Sequence, residues 1–332
     1  MPAVSILLPA WNAAATLQAC LASIVRQVFG DWECILVDDG STDDTAAIAC
    51  EAARRDPRIR PVTVTHGGLV GALNEGLARC GAPLVARMDA DDVMHRDRLT
   101  AQVAALEHDP SLSAVGSHVR LFPRRTMSPG LRHYEAWLNG LRSAGEVARD
   151  AFVECPVAHP SLMMRREMAA RGYAERAWPE DYDLLLRSLA AGLRIGVVPR
   201  RLLCWRRRPD SLSRTDERYA HDRFTACKAH YLAAGFLARS DSYVLWGFGS
   251  TGQALRRALA ALGKQPSHIV DVNPRRIGKR VHRAPVIPPG LLPAVARRPV
   301  VVSVAHLGPR AEVRRLLAGM GFVEGTDYVC AA

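Results

Sequence analysis

Three short runs in the 332-residue chain concentrate the side chains whose types and spacing could do chemistry. Asp-Ala-Asp-Asp at 89–92 puts three carboxylates into four positions, where they repel one another and shift each other's pKa. A hard divalent cation relieves that repulsion, and one or two carboxylates together with phosphate oxygens suit Mg2+ or Mn2+. Asp-Asp-Gly-Ser-Thr-Asp at 38–43 sets two carboxylates against a glycine turn and a helix start. That is a polar pocket able to bind a ligand's donors, although a loop with a helix cap has the same composition. Gly247-Phe-Gly249-Ser-Thr-Gly252, with Asp271 19 residues further on, has the spacing of a dinucleotide-binding turn.

The elements that must position these runs alternate in type. Apolar β-rich stretches at 4–8, 33–37, 60–65 and 83–88 predict strands. Helices are expected at 14–27, from a cap at Ser41 or Thr42, at 69–79 with Leu69, Leu73 and Leu77 on one face, and at 96–107. Such alternation argues for an α/β fold with parallel strands and helices on both faces. Ligands in these sheets bind beyond the carboxyl ends of the strands, which points to residues 9–12, 38–41, 66–68 and 89–92. Residues 120–175 are less regular. A helix at 180–191, with Tyr182, Leu185, Leu186 and Leu189 on its apolar face, precedes short strands at 195–198 and 202–205. A helical connector at 217–237 follows, and at Ser242 the pattern restarts. Strands at 243–246, 268–272 and 300–304 then alternate with helices at 253–262 and 309–320. The expected organisation is a domain at 1–215, a connector at 216–240 and a small α/β domain at 241–332.

Composition narrows the class. With 48% hydrophobic and 23% charged residues the chain can bury a core in each of two domains, which excludes disorder, collagen and coiled coil. Only Lys228, Lys264 and Lys279 among the 44 basic residues are lysines, a skew in keeping with genome base composition. The net charge of +11 is unevenly spread: residues 1–100 carry −4, residues 101–240 carry +7 and residues 241–332 carry +8. The acidic first third is where carboxylates have work to do. The basic last module could rest on an anionic membrane surface or a lipid-linked acceptor, whereas no nucleic-acid recognition motif appears. Eight scattered cysteines without a CxxC pair suggest a reducing, cytoplasmic setting and no structural zinc. No apolar run approaches the length of a membrane span, and no leader is evident, so peripheral contact with the inner face of the membrane is the most that is expected.

Together the runs resemble one family. Val-Ser-Ile-Leu-Leu-Pro-Ala-Trp-Asn at 4–12, the acidic run at 38–43, Gly-Ala-Leu-Asn-Glu-Gly at 71–76, Met-Asp-Ala-Asp-Asp at 88–92 and Glu-Asp-Tyr-Asp-Leu-Leu-Leu-Arg at 180–187 are similar, in order and spacing, to family-2 inverting glycosyltransferases of the GT-A fold. The resemblance covers about residues 2–215. It implies that Pro9, Trp11 and Asn12 lie against a nucleotide base, with Trp11 at the stacking position. By the same likeness Asp39 hydrogen-bonds the base and Asp38 supports that loop. Asp89 meets the ribose or the metal shell, and Asp91 coordinates Mg2+ or Mn2+ through the diphosphate. Glu180 and Asp181 match the family's acidic pair, whose Asp is implied to be the general base. Inversion requires an acceptor hydroxyl to attack as the nucleoside diphosphate leaves from the opposite face, and a carboxylate within reach can take the proton. Anions at a helix start are also favoured by the helix dipole alone, so this pair has a purely structural reading as well.

One departure is plain. The closing segment, Trp-Arg-Arg-Arg-Pro-Asp-Ser-Leu-Ser at 205–213, carries Arg208 where the family usually has His. Arginine cannot ligate a metal but pairs bidentately with phosphate oxygens, so Arg208 is expected to hold the diphosphate, with Arg206 or Arg207 contributing. His159, in Ala-His-Pro-Ser at 158–161, is expected to order the acceptor-side loop. The turn at Gly247, Gly249 and Gly252 with Asp271 looks like a small Rossmann-like module of the kind found beside sugar-modifying enzymes. It would bind NAD or another nucleotide, or else serve in assembly. The implied activity is sugar transfer from a nucleotide donor to a saccharide, lipid-linked or protein acceptor in polysaccharide or glycoconjugate assembly. A regulatory protein that binds sugar nucleotide or NAD without catalysis is the alternative.

Overall fold

The computed structural model describes residues 1–208, 211–295 and 298–332, which fall into two compact units. The first comprises Met1–Ala148, Val157–Arg176 and Asp183–Ser211. It opens with β1 (Val4–Ala10), α1 (Ala14–Val25), β2 (Trp32–Asp38), α2 (Thr45–Arg55), β3 (Ile59–Thr63), α3 (Gly68–Arg79) and β4 (Leu84–Arg87). After the two-residue β5 (Val93–Met94) come α4 (Arg98–His108), β6 (Leu112–Phe122), α5 (Pro129–Leu138) and α6 (Ala144–Asp150), the last ending in the second unit. β7 (Met163–Arg165), α7 (Arg166–Ala169), α8 (Glu180–Ala190), whose first three residues belong to the second unit, and β8 (Arg194–Arg206) complete it. The eight strands lie in the order β3-β2-β1-β4-β7-β6-β8-β5.

β1 and β2 are buried along their whole length, as strands covered on both faces must be. β1 pairs in parallel with β2 and β4, and β2 with β3, so the residues after all four strands gather at one edge of the sheet. The other half departs from the parallel expectation: β7 runs antiparallel to both β4 and β6, and β5 antiparallel to β8. β6 was not legible because Ser113, Gly116, Ser117 and His118 break its apolar run. The fold buries them regardless, His118 by bonding its Nε2 to the Leu141 carbonyl at 2.8 Å. The strands expected at 195–198 and 202–205 are one strand, β8, whose register against β6 shifts between Val198 and Arg201.

Helix α2 starts at Thr45 rather than at a Ser41 or Thr42 cap. Both hydroxyls are engaged with Asn12: Ser41 Oγ accepts from its amide at 2.9 Å, and Thr42 Oγ1 donates to its side-chain oxygen at 3.3 Å. Helix α3 buries Val70, Ala72, Leu73 and Gly76, with Leu69 and Leu77 only partly covered. Gly76 is where this helix touches the sheet. A Cβ there would lie 2.3 Å from Leu7 Cδ1 and 3.0 Å from Val37 Cγ2, both on fully buried side chains.

The second unit comprises Arg149–Pro156, Ala177–Tyr182 and Leu212–Ala332. Its elements are α9 (Leu212–Thr215), α10 (His221–Ala234), β9 (Ser242–Trp246), α11 (Ser250–Ala261), β10 (Gln265–Val270), β11 (Arg280–Val281), β12 (Ala284–Ile287), α12 (Leu292–Val295), β13 (Val300–Val302), α13 (Leu307–Gly319) and β14 (Tyr328–Cys330). A 3-10 turn, Glu217–Tyr219, precedes α10. The sheet runs β11-β12-β10-β9-β13-β14, parallel except for the β11–β12 hairpin, the doubly wound order of a small Rossmann-like module. Its core of Leu232, Tyr243, Leu245, Leu255, Leu259, Ile269 and Val301 also takes in Phe152 from the 149–156 segment. The segment is further held by Arg314, which pairs with Asp150 at 2.6 Å and with Glu324 at 2.9 Å. All eight cysteines are free and most are buried.

The packing at Gly76 yields a direct test. Gly76→Ala overpacks a filled site and is expected to lower stability by about 1–3 kcal/mol, read as a fall in the denaturant midpoint at unchanged slope.

Candidate active site

The first unit's chemistry lies where β1, β2 and β4 end side by side. β1 stops at Ala10, and Asn12 turns the chain with a left-handed φ of 47°. Its side-chain oxygen accepts from the Thr42 amide at 2.9 Å, tying the turn after β1 to the turn after β2. Pro9 is buried in the strand end, whereas Trp11 is 50% exposed and stacks on His66, with ring centroids 4.7 Å apart and planes 19° from parallel. Trp11 is therefore a surface aromatic face rather than a core residue.

Asp38 and Asp39 are both buried. Asp38 Oδ1 accepts from the Ser41 amide at 3.1 Å and so closes the glycine turn, in which Gly40 has φ 65°. The Asp39 carboxylate accepts from the amides of Gly67 and Gly68 at 2.8 and 2.9 Å, and it pairs with His66 Nδ1 at 2.9 Å. Asp39 thus positions the start of α3 and also sets the ring on which Trp11 stacks. The Gly-Ala-Leu-Asn-Glu-Gly motif is structural: Gly76 permits close packing, and Asn74 bonds both backbone groups of Tyr173, at 2.8 and 2.9 Å.

Beyond β4, carboxylate oxygens of Asp89, Asp91 and Asp92 all lie within 4.8 Å of one another. Burial and the neighbouring Asp89 charge push the Asp91 carboxyl up to about 6, partly offset by Arg208 and Arg87. Asp92 is fully buried, and burial together with repulsion from Asp89 and Asp91 pushes its carboxyl well up. Its Oδ1 accepts from the Arg206 amide at 2.6 Å, while Oδ2 has no hydrogen-bond partner among the described residues. An orphaned, buried carboxylate oxygen in an all-oxygen cluster fits a hard divalent cation. Arg208 lies near enough to Asp91 to favour its charged form. Arg206 donates from Nε to the Asp91 carbonyl at 2.6 Å, and Arg207 lies over the Trp205 ring. Pro209 and Asp210 of this closing segment lie outside the described residues.

Two buried arginines lie behind the acidic turn; Arg87 reads from the sequence as a structural residue of the strand, whereas Arg98 has no clear signal there. Arg87 ends β4 and ion-pairs with Asp89. Arg98, fully buried, donates to the Arg87 carbonyl at 2.8 Å and to Gln102 Oε1 at 3.0 Å. Burial lowers the Arg98 pKa to about 9, with the Asp92 charge acting the other way. Gln102 in turn holds the Ser161 carbonyl at 2.7 Å, next to His159. His159 is buried on the Tyr173 hydroxyl, 2.8 Å away, and burial with the Arg87 charge drives its pKa well down, so it is neutral. That is an ordering role.

Glu180 and Asp181 belong to the second unit's packing. They open α8, where Asp181 Oδ1 accepts from the Tyr182 amide at 2.7 Å. Buried Glu180 accepts from the Tyr219 hydroxyl at 2.6 Å. The turn is clamped on both sides: Trp178 meets His230 at 5.3 Å between centroids, and Tyr182 meets Phe224 at 5.6 Å while donating to the Ala151 carbonyl. Tyr219 lies beyond the 2–215 reach of the family motifs, so pattern alone could not find it.

Residues 5–172 match the family described as Glycosyl transferase family 2. The chain belongs to this family. The glycosyltransferase EpsE of Bacillus subtilis (strain 168) is 30% identical over 240 residues, 68% of this chain and 82% of that protein. The amylovoran biosynthesis glycosyltransferase AmsE of Erwinia amylovora is 29% identical over 187 residues, 55% of this chain and 67% of that one. S. aureus TarS 1–349, solved with UDP-GlcNAc, superposes with a TM-score of 0.57 at 17% identity, covering 77% of this chain and 71% of that one. The mannosyltransferase PcManGT from Pyrobaculum calidifontis, solved with GDP-Man and Mn2+, gives 0.52 at 20% identity over 79% and 74% of the two chains. The glycosyltransferase has the GT-A fold.

Two outcomes follow for this enzyme. Asp91→Asn should weaken Mn2+ binding at least ~10-fold by calorimetry, with the circular dichroism spectrum unchanged. Tyr219→Phe removes one hydrogen bond to a buried carboxylate, worth about 1.5 kcal/mol or more, and should lower the denaturant midpoint at unchanged slope.

Proposed function

We propose that the glycosyltransferase moves one sugar from a nucleoside-diphosphate donor to an acceptor hydroxyl with inversion, in surface-polysaccharide or glycoconjugate assembly. The observation that carries this reading is the Asp89–Asp91–Asp92 cluster at the carboxyl end of β4, with one orphaned oxygen and with Arg208 beside Asp91. The names of EpsE and AmsE, and the ligands solved with TarS and PcManGT, agree with it. The division we propose is 1–215 for transfer, 216–240 as connector and 241–332 as the small module, with residues 149–156, 177–182 and 212–215 of the first stretch packing in the second unit.

In this mechanism Trp11, with Pro9 and Asn12, offers the nucleotide base a stacking face, and His66 holds that face in place. Asp39, supported by Asp38, accepts a hydrogen bond from the base. Its own bonds to the α3 amides fix the carboxylate before the donor arrives, so little ordering is left for binding. Asp89 meets the ribose or the metal shell, and Asp91 holds Mg2+ or Mn2+. That cation, when bound, would stabilise the negative charge that develops on the leaving diphosphate. Arg208 pairs with the phosphate oxygens, doing with a fixed cation what the family's usual His does as a metal ligand. Asp181 takes the proton from the acceptor hydroxyl as the oxygen attacks the anomeric carbon, and Glu180, gripped by Tyr219, orients it. The acceptor is a saccharide, a lipid-linked carrier or a protein. The enzyme works on the cytoplasmic side, with its basic module at an anionic membrane surface. No helix among the described residues is long and apolar enough to cross a membrane.

The glycine turn of the second unit receives no nucleotide in this scheme. Asp271, the acid that would take ribose hydroxyls, accepts from the Asn273 amide at 2.9 Å and pairs with Arg276 Nη1 at 2.9 Å. Arg276 also donates to the Phe248 carbonyl at 3.0 Å, inside the turn. Gly252 fits because a Cβ would lie 2.3 Å from the Gly247 carbonyl oxygen and 2.5 Å from Ser303 Oγ. Gly247 and Gly252 are closely packed and Asp271 is already engaged, whereas a Cβ at Gly249 would meet nothing within 4 Å, so the turn is read here as an assembly element, with NAD or another nucleotide as the alternative.

A screen of sugar nucleotides with and without Mn2+ tests the reading. Asp181→Asn should abolish transfer yet keep donor affinity, and Arg208→Ala should weaken donor binding by roughly tenfold or more. Full activity in Asp181→Asn removes it as the base. Binding of NAD with no sugar nucleotide bound would instead establish the regulatory alternative.

A further inference from the structure

The outer edge of the second sheet carries positive charge that its packing does not use. β11 and β12 form a two-residue hairpin, with Val281 opposite Ala284, and β11 is the outermost strand. No Asp or Glu occurs between Val272 and Ala311. Arg275, Lys279, Arg280, His282 and Arg283 are all exposed, and beside them Val272 is 74% exposed. Arg276 is committed to Asp271, and Arg280 donates to the Arg283 carbonyl at 2.9 Å. The side chains of Arg275, Lys279 and Arg283 have no hydrogen-bond or ion-pair partner among the described residues.

The turn supplies an independent observation. His282 and Arg283 have φ of 48° and 69°, left-handed at both central positions, as a type I′ hairpin requires. Asn-Gly suits such a turn, and larger side chains there are conformationally costly. His282 has a packing reason, since its ring meets Phe248 edge-on at 6.1 Å. Arg283 has none. A strained, unpartnered cation at an exposed tip points to a use for the side chain outside the fold.

We propose that this hairpin edge is the surface that rests on an anionic lipid bilayer, an inference that rests on the membrane contact in the proposed function. Arg275, Lys279, Arg280 and Arg283 meet the phosphate-bearing headgroups, and Val272 enters the interface. A cluster of four basic side chains is enough for such attraction, which accumulates with each charge and fades within a Debye length. The exposed aliphatic Val272 beside the cluster favours lipid over nucleic acid.

The test compares sedimentation of the full chain with phosphatidylglycerol–phosphatidylcholine vesicles and with phosphatidylcholine alone. Wild type should bind only the anionic vesicles and be released by salt. The triple variant Arg275→Glu, Lys279→Glu, Arg283→Gly should bind at least roughly tenfold more weakly. Its thermal midpoint should not fall, because glycine relaxes the turn and the other two sites are exposed. Arg257→Glu with Arg315→Glu, outside the hairpin, should keep nearly wild-type binding. If wild type binds and the triple variant binds equally well, the hairpin assignment is overturned while the membrane reading stands, and the charge then serves only to keep an edge strand from pairing. If wild type ignores anionic vesicles, the membrane reading itself falls. Duplex DNA of matched charge competing as well as the vesicles would overturn the choice of lipid.

Discussion

Three carboxylates packed into four residues at the end of a buried strand are an electrostatic liability, and much of the first unit is arranged around relieving it. Arg87 ion-pairs with Asp89 from within β4. Arg98, wholly buried, sits behind it on the Arg87 carbonyl. Arg206 and Arg208 bring cationic side chains from the end of β8, one bonded to the Asp91 carbonyl and the other close to its carboxylate. The compensation is incomplete, since Asp91 and Asp92 are still displaced upward and one Asp92 oxygen is orphaned. That residual imbalance is what a hard divalent cation would relieve.

The sheet changes direction beside this cluster. β7 enters antiparallel between β4 and β6, and the preceding 3-10 turn brings His159 and Ser161 toward Arg87 and Gln102. A strictly parallel continuation would need a crossover helix there and leave no loop to cover the buried guanidinium groups. On the other flank, Asp39 spends its carboxylate on the amides at the start of α3, so a loop that reads as binding machinery is also a rigid joint. Glu180 and Asp181 are held differently, by aromatic contacts and a tyrosine hydroxyl drawn from residues 219–230. The region that reads as a connector therefore shapes the acidic pair.

Legibility in the sequence followed how local each interaction is. The strands through β4, the helices between them and the acidic runs were readable, because buried parallel strands are continuous apolar segments and their carboxyl ends are where ligands gather. β6 escaped because polar groups within it find distant partners, the His118 ring on the Leu141 carbonyl and the Ser117 amide on Ser161 Oγ. The cap expected at Ser41 or Thr42 failed for the same reason, as Asn12, 29 and 30 residues away in sequence, takes both hydroxyls. Arg98 looks like any arginine near a helix start until tertiary packing buries it.

By itself the sequence determined the family, the alternating architecture, the acidic runs and the arginine that replaces a histidine at 208. These are properties of residue type and spacing along one chain. Only the tertiary structure decided which carboxylates share a space, which arginines neutralise them, that Trp11 faces outward on His66, and that Tyr219 grips Glu180. It also showed that Asp271 of the glycine fingerprint is paired with Arg276. The physical reason is that burial and pairing depend on distances through space, and a carboxylate's charge state depends on both.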